Sequence, residues 1–357
     1  MPPAAAAVAA RSDEAAAPEP AAAPADAEPH DDVDDLEADD DPAAAPAAAA
    51  PAAHPLDGWS DERIAAALAS DPASLGAMSL GRPNAGALRN GVQLPRDDPR
   101  LTLADPARTW GTGETIAALL LAVGEVHRQY PGAPPLHVGH VSAREGGPLR
   151  PHKSHQSGRD VDLGFYYVDG SRWYSRATAE NLDRARTWAL LRALIVGSDV
   201  ELVLVDHSIQ RLLEQHARES GEDSAWIEDL FRGTPGVRPP LFRHVAGHAG
   251  HLHVRFYSPE ARETARRVTP HLRRAGALPP TRHVVLHRAR AGDTLQRLAK
   301  RYGTTMAAIR GENRLRGAKL VAGHTYRIPR DGPPPAPDAA PDRPVRVPPR
   351  RTPPSAP

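Results

Sequence analysis

Apolar positions along the middle of the chain change period several times, and each change predicts an element. From Thr112 to Tyr130 the residues Ile116, Leu119, Leu120, Val123 and Val126 recur at helical spacing before Pro131-Gly132, which predicts a helix over 112–130. LHVGHVS at 136–142 reads as a short strand, a second helix is expected from Ala179 to about Ile195, and ELVLVD at 201–206 reads as another strand. A third helix is expected over Ile209–Arg218, and HLHVRF at 251–256 is again strand-like. In VDLGFYY the apolar Val161, Leu163 and Phe165 alternate with Asp162, Gly164 and Tyr166, so a strand there turns Asp162 away from the apolar set, toward a cleft. The pattern is α+β: a small antiparallel sheet flanked by helices.

Composition narrows the folded part. Of 357 residues 39 are proline, and the first 55, with the acidic run HDDVDDLEADDD, hold too little apolar surface to offset the entropy of ordering. Residues 1–55 are therefore expected to be disordered, and the Pro/Arg-rich stretch 331–357 an extended, disordered tail. The formal net charge is +0, so no overall field recruits nucleic acid or an anionic membrane. The alanine runs near the N-terminus are broken by proline, which excludes a transmembrane helix there, and the opening lacks the basic start and leucine-rich middle of a secretory signal. The absence of cysteine excludes disulfides, thiolate metal sites and cysteine nucleophiles, which leaves the 17 histidines as the natural metal ligands.

Five of the 17 histidines fall in two short segments, PHKSHQSGRDVDLGFYY at 151–167 and GHAGHLHVRF at 247–256. His155 stands seven residues before Asp162, and Ser157-Gly158 lets the chain reverse between them. A period of two puts His251 and His253 on one face while Leu252 and Val254 enter the core. Imidazoles converging with one carboxylate and leaving a fourth position for water make an open, catalytic type of zinc site.

These motifs, with SLGRPNAGALRNGVQLP near the start of the same region, resemble the penicillin-insensitive murein endopeptidases, within the wider lysostaphin, D-Ala-D-Ala metallopeptidase and hedgehog-like grouping, over roughly residues 76–258. The resemblance implies that His155, Asp162 and His253 hold one zinc per chain, that His251 is the catalytic histidine, and that His152 and His248 support the site. It implies hydrolysis of peptide crosslinks in peptidoglycan, at the D-alanyl to meso-diaminopimelyl bond, without the serine acyl-enzyme that penicillin traps. A D-Ala-D-Ala carboxypeptidase, another crosslink peptidase, or a catalytically idle wall-binding protein remain open as alternatives. One departure is visible: Ala249-Gly250 stands where family members often carry an acid.

Downstream, RARAGDTLQRLAKRYGTTMAAIRGENRLRGAKLVAGHTYRIP resembles a LysM module. Thr294 is expected to cap a helix that Gly303 ends, Thr305 to cap a second, and Tyr326-Arg327-Ile328 to return as a strand, giving βααβ. Such modules bind N-acetylglucosamine-containing glycan. The expected organisation is a peptidase domain over 56–275, a linker at 276–282 and LysM over 283–330, acting in the periplasm or at the cell wall.

Overall fold

The computed structural model describes residues 53–278, 282–331 and 344–354. The expectation of disorder for residues 1–52 lies outside the described residues, as does the centre of the expected linker, 279–281.

Helix α1 (Asp61–Ser70) leads to the hairpin β1 (Met78–Arg82) and β2 (Ala85–Arg89), followed by short strands β3 (Val92–Gln93), β4 (Leu101–Leu103) and β5 (Trp110–Gly111). The expected first helix forms as α2 (Gly113–Gln129), where the Thr112 side chain accepts from the Thr115 amide. Ile116, Leu119, Val123 and Val126 all enter the main core, so helical spacing is converted directly into burial. Strands β6 (Leu136–Val138), β7 (Asp160–Leu163), β8 (Tyr166–Tyr167) and β9 (Gly170–Ser171) precede α3 (Arg184–Gly197).

Helix α3 starts five residues later than periodicity predicts. Asp183 caps it by accepting from the Arg186 amide, and the amides of Asp183 and Val168 bond to Tyr166 and Asn181, which holds the preceding turn against β8. Next come β10 (Val200–Leu204), α4 (His207–Glu219), α5 (Ser224–Arg232), β11 (Phe242–Arg243), β12 (Leu252–Phe256) and α6 (Pro259–Arg274).

The central sheet has six strands in the order β11-β10-β12-β7-β6-β4. It is antiparallel through its middle, while the edge pairs β10/β11 and β4/β6 run parallel. One core gathers α2, α3 and the sheet; a second joins Leu56, Ile64, Met78 and Leu80 to Ala265, Val268 and Leu272 of α6. Helix α6 follows β12 at the end of the large domain. Its apolar face closes the second core against α1 and β1.

The third core belongs to β13 (Arg282–Arg288), α7 (Leu295–Tyr302), α8 (Met306–Glu312) and β14 (Thr325–Asp331), in the expected βααβ order. Thr294 and Thr305 accept from the Arg297 and Ala308 amides, and Gly303 ends α7 at φ 65°. The Asn313 side-chain nitrogen donates to the Arg327 carbonyl and its oxygen accepts from the Arg327 amide, pinning α8 to β14.

The tail differs from expectation in one stretch. Residues 344–354 have no helix or strand, but they lie against the large domain rather than free of it. The reason is that Arg350 and Arg351 find carboxylates and carbonyls there, contacts that composition does not reveal.

Candidate metal centre and active site

The site forms where β12 pairs with β7. Antiparallel register puts His253 directly opposite Asp162 and Arg255 opposite Asp160. Leu252, Val254, Val161 and Leu163 occupy the other face and are fully buried in the core. The polar face is largely buried too: Asp162 is only 1% exposed and His253 0%, while the neighbouring His140 and His152 are partly exposed.

His155 enters from the loop before β7. Its backbone sits at φ 64°, a left-handed conformation rare for a residue with a Cβ and often found at functional sites. The Asp160 carboxylate holds it there by accepting from the His155 amide at 3.0 Å. The loop is further tied to the β1/β2 hairpin, since the Gln156 amide donates to Pro83 and Leu88 donates to Glu145. That is the structural use of the SLGRPNAGALRNG motif.

The three nearest donor atoms make a triangle. His155 Nε2 is 3.2 Å from His253 Nδ1 and 3.3 Å from Asp162 Oδ1, and His253 Nδ1 is 3.0 Å from Asp162 Oδ1. Each imidazole is oriented by a second contact. His155 Nδ1 bonds the Val141 carbonyl at 2.9 Å, and His253 Nε2 meets Asp160 Oδ1 at 3.2 Å. A ligand histidine characteristically donates its other nitrogen to a carbonyl or carboxylate in this way.

Asp160 was not among the residues singled out from sequence, and it serves both histidines while bonding Arg255 Nε at 2.6 Å. The signal was present: Asp160 and Arg255 share the alternating face with Asp162 and His253. Burial raises the pKa of Asp160, but the Arg255 charge and the His253 hydrogen bond overcome it and hold it well below the usual range. Burial likewise opposes charge on His253, yet the Asp160 and Asp162 carboxylates push its pKa up to about 10. Both carboxylates therefore favour a positive charge at His253, whether a proton or a metal ion.

The remaining expected residues gather nearby. His251 Nε2 lies 4.0 Å from Asp162 Oδ1, and its ring stacks on Tyr174 at 4.9 Å. His248 is 4.6 Å from His251 between ring centroids. His152 lies on the other side, 3.7 Å from Asp162 Oδ2, and contacts His140 Nδ1 at 2.6 Å. His140 was not anticipated, since a strand was expected over all of 136–142, whereas β6 ends at Val138 and His140 stands just beyond. Among the described residues, His155, Asp162 and His253 form one group able to hold a metal, and His140, His152 and Asp162 a second that shares the carboxylate. At the Ala249-Gly250 departure the Ala249 carbonyl accepts from the Ala177 amide, a backbone contact that does not depend on which residue stands there.

A buried histidine–aspartate centre at the end of a mixed sheet, joined to a separately cored βααβ module, defines a class: an α+β hydrolase with an appended binding module. The family model for penicillin-insensitive murein endopeptidase matches residues 79–277, more than half of the chain, and the model for the LysM domain matches 287–329. The chain belongs to the penicillin-insensitive murein endopeptidase family. A search among curated proteins finds none that matches it. It is a peptidoglycan-directed hydrolase, and its domains imply action outside the cytoplasm or at the cell wall. No helix among the described residues is long and apolar enough to cross a membrane.

Proposed function

We propose that the chain is a zinc-dependent endopeptidase that hydrolyses peptide crosslinks of peptidoglycan at the D-alanyl to meso-diaminopimelyl bond. One zinc would be held by His155, Asp162 and His253. The observation that supports this most directly is the donor triangle, whose edges are 3.0–3.3 Å. Ligands ~2.0–2.1 Å from a tetrahedral centre stand ~3.3 Å apart, and a set of two nitrogens and one oxygen suits zinc better than calcium or magnesium, which prefer all-oxygen shells.

When bound, zinc supplies a Lewis acid that polarises the scissile carbonyl and lowers the pKa of water toward ~7. His251, beside the triangle and braced by Tyr174, takes a proton and returns it to the leaving amine. His152 and His248 flank the two sides and orient substrate or water. Asp160 keeps His253 turned toward the triangle. In the same reading residues 56–275 are the peptidase, 276–282 the linker and 283–330 the module that holds N-acetylglucosamine-containing glycan in the periplasm or wall. That module raises the local concentration of crosslinks without contributing to chemistry.

The test is digestion of purified sacculi with identification of the released muropeptides, alongside zinc per chain for the His155→Ala, Asp162→Ala and His253→Ala variants. Crosslinked dimers should be cut to monomers, with zinc lost from each variant. Release of terminal D-alanine alone would make the enzyme a carboxypeptidase, and stoichiometric zinc in all three variants would move the ligands elsewhere.

A further inference from the structure

Past the LysM module the chain returns to the peptidase domain. The Arg350 guanidinium bonds both oxygens of Asp199, at 2.6 and 3.2 Å, and donates to the Gly197 carbonyl. Arg351, with its side chain only 11% exposed, donates to the Asp229 carbonyl at 2.6 Å and lies 3.5 Å from the Asp229 carboxylate. The Trp226 indole donates back to the Arg351 carbonyl at 2.7 Å, and the Val345 amide donates to Glu263 at 3.0 Å. Trp226 and Asp229 lie on α5, Glu263 on α6, and Asp199 just before β10. Since Leu204 at the far end of β10 pairs with His253, while Val200 at the near end pairs with Phe256, this surface is at the opposite end of the sheet from the histidine cluster.

A bidentate arginine, a largely buried second arginine and a tryptophan hydrogen bond to one short segment form a built receptor. The proline-rich composition suits its occupant, because prolines reduce the entropy lost when the segment is fixed. We propose that residues 344–354 are an intramolecular latch: the peptidase domain holds them on its rear surface, so the LysM module is closed into a loop anchored at both ends. On one side only residues 279–281 separate the described parts, a reach of ~14 Å, and on the other residues 332–343 span at most ~45 Å. A module tied at one point can turn about it; tied at two, it sweeps a narrower arc. The latch thereby limits which glycan directions can be engaged while a crosslink is in the active site. It does not depend on the metal reading.

Two measurements on the full chain test it. Trypsin can cut after Arg346, Arg350 and Arg351. In the latched protein these bonds should be cleaved on the order of tenfold or more slowly than in a free peptide of the same sequence, because cleavage follows the population of the undocked form. Equal rates would overturn the latch without any variant being needed. The chain has no cysteine, so spin labels can be placed by Leu121→Cys and Val321→Cys, at positions 71% and 64% exposed. The distance distribution between them should be narrower than in the same protein carrying Arg350→Glu and Arg351→Glu. Equal widths in both would overturn the claim that the latch limits the module.

Discussion

Asp160, not singled out from sequence, orders three groups of the site at once. One carboxylate fixes the left-handed His155 backbone, the His253 ring and the Arg255 guanidinium. Asp160→Asn keeps the shape and removes the charge, and zinc affinity should fall ~10 to 100-fold, read by competition with a chelator. Asp160→Ala also strands Arg255 in the core and should destabilise the fold by ~3–5 kcal/mol in denaturant unfolding. The raised pKa of His253 sets the expected pH response. Its pKa is raised to about 10, so below that value a cation must displace the proton. Affinity should rise with pH, about tenfold per unit across neutral pH; a flat profile would mean that His253 is not a ligand. His251→Ala separates chemistry from binding: zinc should remain while turnover on a crosslinked dimer muropeptide falls ~100 to 10,000-fold. Loss of zinc from that variant with retention in His253→Ala would reverse the two roles.

Between elements, the wall of the site depends on close approach. Gly139 follows β6, and a Cβ there would overlap the Trp173 ring, which neighbours Tyr174 and through it His251. Gly139→Ala should displace the Trp173–Tyr174 pair and lower turnover with little change in metal content. Tryptophan fluorescence and zinc analysis on one sample check both halves. Unchanged fluorescence would show that the ring is not seated on this glycine. The helix α2 cap links the two cores, since Thr112 and Thr115 both contact the buried Ser258 hydroxyl that precedes α6.

Across the whole chain, anchoring and chemistry occupy separately cored units. Internal deletion of residues 283–330 should leave hydrolysis of a soluble crosslinked muropeptide nearly unchanged while activity on sacculi drops, because the module supplies concentration and not transition-state contacts. Equal losses on both substrates would make the module part of the catalytic fold.

Local periodicity carried much of this protein. The caps at Thr294 and Thr305, the helical stripe of α2, and the alternation that places Asp162 opposite Val161 and Leu163 depend on neighbours within a few positions, so they are legible residue by residue. The family and the βααβ module were legible for the same reason, as runs of residues in a set order. What lay beyond sequence depends on register between distant strands. Pairing β12 with β7 decides that His253 stands across from Asp162 and Arg255 across from Asp160, about ninety positions apart in the chain, and so makes Asp160 the brace of both histidines. The same holds for the burial of Asp162 and His253, for His140 meeting His152, and for the tail, whose composition reads as disordered until Asp199 and Asp229 are brought to the surface that receives its arginines. Spacing along the chain limits which side chains are available; only packing between remote segments determines which of them meet and how far water is excluded from them.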